Sequence, residues 1–227
     1  MLAKIIEKEG LYIMKTGEKT KKALLDTACD IFAKNGFYKT TMRDITDASN
    51  TNVAAVNYHF GDKENLYFES FKHAAEVENR EISAQIKDIS DAKQLLKKSL
   101  YLRLEGIISK SPSSWLMRMF HHEIPNPTAI HEKIITEVMS KQRDRLKGML
   151  AQFFEMDLSE GQLNVILSCL ISPMLHQMRL EEHAGMHKKH FNMLPKRLDD
   201  DRRIEMIVCY IISGLEGLKK EMQNEKN

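Results

Sequence analysis

Glycine and proline are scarce, with ten and five residues in a chain of 227. Their total of roughly 7 %, against a usual total of roughly 12 %, excludes collagen-like and flexible low-complexity chains and argues against turn-rich all-β folds. Cysteine is scarce as well. Cys29, Cys169 and Cys209 are odd in number, far apart and each set in an apolar run, so no disulfide framework is expected and all three read as reduced thiols in a core. Aromatic residues make up only 7 % of the chain, which leaves Leu, Ile and 14 Met to fill that core. No sign of charge dominates. Thirty-four Lys and Arg against 32 Asp and Glu give a net +2, so any nucleic-acid role must come from a local site.

Long apolar runs are missing too. Lys4, Glu7, Lys8 and Glu9 interrupt the N-terminus, so no signal peptide is expected there and a cytoplasmic protein is expected. The longest uncharged stretch, 161–178, carries Gln162, Asn164, Pro173, His176 and Gln177 and reads as a buried helix, not a membrane span. G-x-G-x-x-G, G-x-x-x-x-G-K, H-E-x-x-H and G-x-S-x-G are all absent, so no catalytic residue and no cofactor is assigned.

What is present is helical periodicity, which defines an all-α fold. Residues 1–14 form a leader expected to be poorly ordered, and Met14 offers a second start. Leu24, Leu25, Ala28, Ile31 and Phe32 then share one face of a helix of about four turns, stopped at Asn35-Gly36 by residues suited to a left-handed cap. Thr41 with Asp44 caps a second, short helix carrying Met42, Ile45 and Ala48. Ser49-Asn50-Thr51 breaks it, Val53 to Phe60 reads as a third helix, and Gly61 ends that one. Two short helices joined by a three-residue turn and braced by a longer one have the layout of a helix-turn-helix DNA reader. A bland three-helix packing module is the alternative.

The stretches A-x-x-I-F-A-x-N-G-F (28–37), T-T-M-R-D-I-T (40–46) and V-N-Y-H-F-G-D-K-E-N-L-Y (56–67) resemble the tetracycline-repressor (TetR) family of bacterial transcription regulators. The resemblance covers roughly residues 20 to 70 and departs from the family at the turn residue Asn50 and at Ala55 and Asn57. Arg118, Glu123 and Pro127-Thr128 look like a subgroup sharing the recognition segment A-A-V-N-Y-H-F-G.

Residues 15–61 are thus expected to form the DNA-binding domain. A connecting helix over 62–90 follows, and 91–227 form an effector-binding and dimerisation domain. Within the latter, Asp91 with Gln94 starts a helix to about Ser109, and Ser111-Pro112-Ser113 breaks the chain. A short helix covers 114–122. Pro127 is expected to open a helix to about Phe154, and Ser159 with Gln162 caps another. The last two helices are the most regular. Leu163, Ile166, Leu167, Leu170 and Ile171 in one, and Ile204, Ile207, Val208, Ile211 and Leu215 in the other, repeat at 3 and 4. Two such stripes per subunit can pack within the chain or build an intersubunit four-helix bundle, and the resemblance implies the homodimer.

Phosphate contacts are expected from Lys39, the Thr40 and Thr41 hydroxyls, Tyr58, His59 and Lys63, and groove contacts from Asn52, Val53, Ala55 and Asn57. Tyr58 could instead pack in the domain, and His59 could cap its own helix; Phe60 reads as core. From Asp44 to Asp62 there is no Lys or Arg, so Asn on adenine and methyl contact with thymine are the available base chemistry. Over 15–63, eight basic residues (Lys15, Lys19, Lys21, Lys22, Lys34, Lys39, Arg43, Lys63) face six acids (Glu18, Asp26, Asp30, Asp44, Asp47, Asp62), so affinity must depend on dimerisation and placed contacts more than on a basic surface.

Apolar walls with scattered polar anchors suit a small-molecule site, and Trp115, Phe120, His121, Phe153, Asn164, Met174 and His176 are its candidates, with Met117, His122, Met149 and Ser168 beside them. Each could equally be plain core. His183, His187 and His190 share one helix side, but no Cys accompanies them and no Asp or Glu lies inside the cluster, so no metal is assigned to them. The rival function is an α-helical metal- or cofactor-dependent enzyme using these C-terminal histidines. The expected partners are palindromic double-stranded DNA, a second copy of the chain and a small-molecule effector that shifts the dimer away from operator-competent spacing.

Overall fold

The computed structural model describes the backbone of residues 2–190 and 199–224, and the side chains of residues 19–181 and 199–224. All regular structure among the described residues is helical. The helices are α1 (Leu2–Asn35), α2 (Met42–Ala48), α3 (Val53–Phe60), α4 (Lys63–Ile86), α5 (Ala92–Ser109), α6 (Trp115–Glu123), α7 (His131–Ile134), α8 (Ser140–Phe154), α9 (Glu160–His190) and α10 (Asp200–Asn224). A 3-10 turn, Pro112–Ser114, precedes α6, and a π-helical stretch, Ile135–Met139, joins α7 to α8.

The chain divides into two compact units. The first contains Met1–Glu76 and Trp115–Val138, and the second Val77–Ser114 and Met139–Asn227. In the first, α1 packs on α2 and α6, and α2 on α3. Leu24, Ala28, Phe32, Ile45, Val56, Leu66, Tyr67 and Phe71 are its buried residues, and Tyr67 meets Phe32 edge-on with ring centroids 4.7 Å apart. In the second, α5 is central and packs on α8, α9 and α10. Its core is aliphatic, with Leu96, Leu100, Leu104, Leu150, Leu163, Leu170, Val208 and Leu215 buried.

Helix ends follow local chemistry. Gly36 takes a φ of +73° and its amide donates to Phe32 O, closing α1 with the left-handed residue that glycine tolerates. Asn50 has a φ of +52° in the turn before α3. Asp62 Oδ1 accepts from Asn65 N at the start of α4, and Asp91 accepts from Gln94 N before α5. Ser159 and Gln162 bond each other's amides reciprocally ahead of α9.

Four expectations are corrected. α1 is longer than four turns. α4 ends at Ile86 and not near Ser90. Pro127 does not open a helix; α7 begins at His131, because Glu123 Oε1 captures the Thr128 amide and hydroxyl and Tyr38 bonds Pro127 O, which holds the intervening chain as a turn. Finally, only Cys29 is buried, while Cys169 and Cys209 are exposed on the outward sides of α9 and α10.

Candidate nucleic-acid interface

The reading surface is built by two short helices whose ends are chemically fixed. Thr41 Oγ1 accepts from Asp44 N at 3.1 Å while the Asp44 carboxylate accepts from Thr41 N at 2.7 Å, so both free amides at the start of α2 find partners. The bond from the Thr41 amide, joined by that from its hydroxyl, holds the Asp44 carboxyl below the usual range. At the start of α3, Asn52 Oδ1 accepts from Ala55 N at 2.8 Å. Val56 and Phe60 anchor α3 inward, and Phe60 is core as expected.

The opposite side of α3 is open. Tyr58 is 86 % exposed and Val53 45 %, and Asn52, Ala54 and Asn57 are exposed with them. Ala55 and His59 are half-buried, His59 beside the Tyr58 ring at 5.1 Å. This face is therefore uncharged, made of methyl groups, two amides and a phenol. Asn52 spends its carbonyl oxygen on its own helix cap, which leaves Asn57 as the more available amide for a base edge.

Around that face, Lys39 and Thr41 are exposed before α2. Lys63 Nζ lies 4.0 Å from the Phe37 ring centroid, and partial burial lowers its ammonium from the ordinary lysine range. Thr40 is different. Its side chain is 1 % exposed and its hydroxyl donates to Gly36 O at 2.7 Å, so it fastens the α1–α2 loop and its hydroxyl is not presented outward. Arg43, exposed on the first turn of α2, was not singled out by sequence reasoning; its place one residue inside a capped helix was the available signal.

The candidate effector residues divide between the units. Trp115, Phe120 and His121 belong to the first, where Trp115 is buried and its ring lies 6.4 Å from His73. Phe153, Asn164, Met174 and His176 belong to the second. There Phe153 and Met174 are buried, whereas Asn164 is exposed and accepts from Arg143 at 3.0 Å. His176 is exposed beside an open groove of about 940 Å³ between α9 and α10, which Ser168, Cys169, Pro173 and Tyr210 also line. Within the second unit Arg103 pairs with Glu78, which is 3 % exposed; burial pushes the Glu78 carboxyl up against the opposing pull of Arg103 and Arg145.

The aliphatic stripes of α9 and α10 face inward. Leu163, Ile166, Leu170, Ile204, Val208, Ile211 and Leu215 are each at most 5 % exposed, while Leu167, Ile171 and Ile207 are half-buried. Within the chain, α5 packs on both α9 and α10 and covers most of these stripes. The outward side carries Val165, Met206 and Tyr210, which are 60 %, 52 % and 76 % exposed. No group of three His, Cys, Asp or Glu able to hold a metal occurs among the described residues. The side chains of His183, His187 and His190 lie outside them. Nor is any described helix long and apolar enough to cross a membrane.

Two short capped helices joined by a tight turn and braced by α1 have the layout of helix-turn-helix DNA readers. Residues 24–69 match the description "Bacterial regulatory proteins, tetR family", and residues 92–215 match "HTH-type transcriptional dual regulator CecR, C-terminal domain". The chain belongs to the TetR family of bacterial regulatory proteins. It is similar to a "Probable acrEF/envCD operon repressor" of Escherichia coli K12, 29 % identical over 136 residues, which is 58 % of this chain and 61 % of that protein. The alignment thus spans less than two thirds of that relative's length. It is also similar to the "HTH-type transcriptional dual regulator CecR" of Shigella flexneri, 24 % identical over 90 % of this chain and 95 % of that protein. Among solved structures, the fold is shared with AibR in complex with isovaleryl coenzyme A and operator DNA (TM-score 0.62, 18 % identity, 83 % of this chain and 96 % of that one). It is shared as well with FadR from Bacillus subtilis in complex with stearoyl-CoA (TM-score 0.62, 15 % identity, 86 % and 98 %).

Proposed function

We propose that this chain is a homodimeric, sequence-specific transcription regulator of the cytoplasm and not an enzyme, a repressor released from a palindromic operator by a small-molecule ligand. The observation that carries this reading is the exposed α3 face, with Asn57, Val53 and Tyr58 outward on a helix pinned by Val56 and Phe60. Residues 15–61 read DNA, Lys39, Thr41, Lys63 and Arg43 hold phosphates, and Asn57 with the methyl groups of Val53, Ala54 and Ala55 reads A·T steps. The printed names of the relatives, a repressor and a dual regulator, support control of transcription. The segment A-A-V-N-Y-H-F-G, with Arg118, Glu123 and Pro127-Thr128, marks its subgroup.

Homodimerisation draws support from the outward sides of α9 and α10, where Val165, Met206 and Tyr210 leave apolar surface bare beside an open groove. A two-fold dimer would set two α3 helices one DNA turn apart, about 34–36 Å. α4 links the reading helices to 91–227, the part proposed to take the ligand. Because AibR and FadR are seen with coenzyme A thioesters, acyl-CoA compounds belong in the first ligand panel.

The test is selection of duplexes from a random pool, followed by a gel shift on DNA upstream of the chain's own gene, with and without that panel. Palindromic, A·T-containing half-sites released by one ligand are expected. Uniformly G·C-rich half-sites would sink the base-reading assignment, and no shifted duplex would sink the regulator reading.

A further inference from the structure

The chain passes between its two units three times: within α4 after Glu76, at Ser114–Trp115 and at Val138–Met139. The second passage is where a 3-10 turn gives way to α6, and the third lies inside the π-helical stretch. Both are irregular helix, the kind of joint that changes conformation at lower cost than continuous α-helix and often marks functional sites. Between them, residues 115–138 sit in the same unit as the reading helices despite coming from the second half of the sequence.

One carboxylate fastens this segment. Glu123, the last residue of α6, is 1 % exposed. Its Oε1 accepts from Thr128 N at 2.8 Å and Thr128 Oγ1 at 2.9 Å and lies 3.2 Å from His131 Nδ1; its Oε2 accepts from Tyr67 OH at 3.2 Å. Tyr67, on α4, packs its ring 5.0 Å from Phe37, and the far side of this chain of contacts is Lys63, whose ammonium rests on the Phe37 ring. A buried carboxylate is costly unless its oxygens are satisfied, so these four groups are tied to one geometry.

The geometry points to Glu123 as a positioning residue for DNA reading. Its carboxylate locks the α6–α7 corner onto Tyr67, and through Phe37 it sets where Lys63 and the start of α4 stand relative to α3. This rests on the reading that the first unit binds DNA.

The experiment uses the full chain and a duplex selected by the wild type. Glu123→Gln keeps the shape of the side chain but places an amide where two oxygens accept bonds, and Tyr67→Phe removes only the hydroxyl. Affinity is measured by fluorescence anisotropy well below every variant's melting temperature, with emission of Trp115, the single tryptophan, checking that the segment keeps its fold. Each variant is expected to bind at least tenfold more weakly, and the double variant no more weakly than the worse single one, since both cut the same link. Affinities within twofold of the wild type, or losses that multiply in the double variant, overturn the proposal, because a merely structural contact lowers melting without changing affinity of the folded protein. Should Glu123→Gln not fold, Thr128→Val takes its place in the same cycle with the same two outcomes. Failure of the wild type to select any duplex is a distinct result, which removes the underlying reading and this proposal with it.

Discussion

Gly36 and His122 touch where α1 ends: a Cβ added to Gly36 would stand 3.1 Å from His122 Cβ. With a φ of +73° the position is also one that side chains seldom adopt. Gly36→Ala therefore combines backbone strain with crowding, and it should cost about 1–2 kcal/mol. Urea denaturation followed by circular dichroism measures it; an unchanged midpoint would mean that α1 ends differently in solution.

The reciprocal cap of α2 predicts a pH effect. Because hydrogen bonds from Thr41 lower the Asp44 pKa, its stabilisation is present above the carboxyl's unfolded value and is lost as pH falls through the folded value. Thr41→Ala should cost about 1 kcal/mol near neutrality and somewhat less in acid, where protonated Asp44 accepts more weakly from the Thr41 hydroxyl while the bond from the Asp44 amide persists. Melting curves from pH 7 to pH 3 check the convergence.

Lys63 and Asn57 should fail differently. Lys63→Ala is expected to weaken binding across all sequences and reduce the salt slope by about one unit. Asn57→Ala should instead relax preference at one position of each half-site, worth about 1–3 kcal/mol of discrimination, with the slope unchanged. Salt titrations on selected and mismatched duplexes separate them.

Tyr210 and Ile211 are neighbours with opposite surroundings, 76 % and 5 % exposed. Tyr210→Asp should dissociate the proposed dimer while leaving the fold and melting of the chain nearly intact. Ile211→Asp should unfold it, a loss of about 4 kcal/mol or more, since it puts a charge in the core. Sedimentation velocity paired with circular dichroism reads both; a Tyr210→Asp chain that stays dimeric places the interface elsewhere.

Arg103 pairs with a Glu78 carboxyl that is raised by burial. Removing Arg103 alone strands a buried charge, so Arg103→Leu should cost about 3–5 kcal/mol, and Glu78→Leu in the same chain should restore much of it. A raised folded pKa means stability fully present below the unfolded value and lost as pH rises through the folded one. Arg103→Leu should accordingly regain stability as pH falls toward 4.5, which denaturant titrations across pH will show or refute.

The helix-turn-helix was legible because its signals are short-range. Thr41 with Asp44, Asn50 in the turn and Gly61 after Phe60 act within three or four residues of themselves, and the structure has each where the sequence places it. The family resemblance over roughly 20–70 rests on that same stretch, and the match over 24–69 agrees with it. Thr40 was misread for the converse reason: a hydroxyl beside an exposed Thr41 looks equivalent in sequence, and only the fold turns it onto Gly36 O.

The α9 and α10 stripes show the other limit. Periodicity at 3 and 4 marks which residues of a helix share a face, yet it does not say whether the same chain or a second copy covers that face; α5 covers it here. The bond from Tyr67 to Glu123 joins residues 56 apart and that from Tyr38 to Pro127 residues 89 apart, distances at which no local pattern carries information. The sequence by itself determined the short helices α2 and α3, their caps and the uncharged outward face of α3, because these depend on neighbours along the chain. Tertiary structure decided which stripes are core and that residues 115–138 join the reading unit, because burial is settled only when distant segments compete for the same apolar surface.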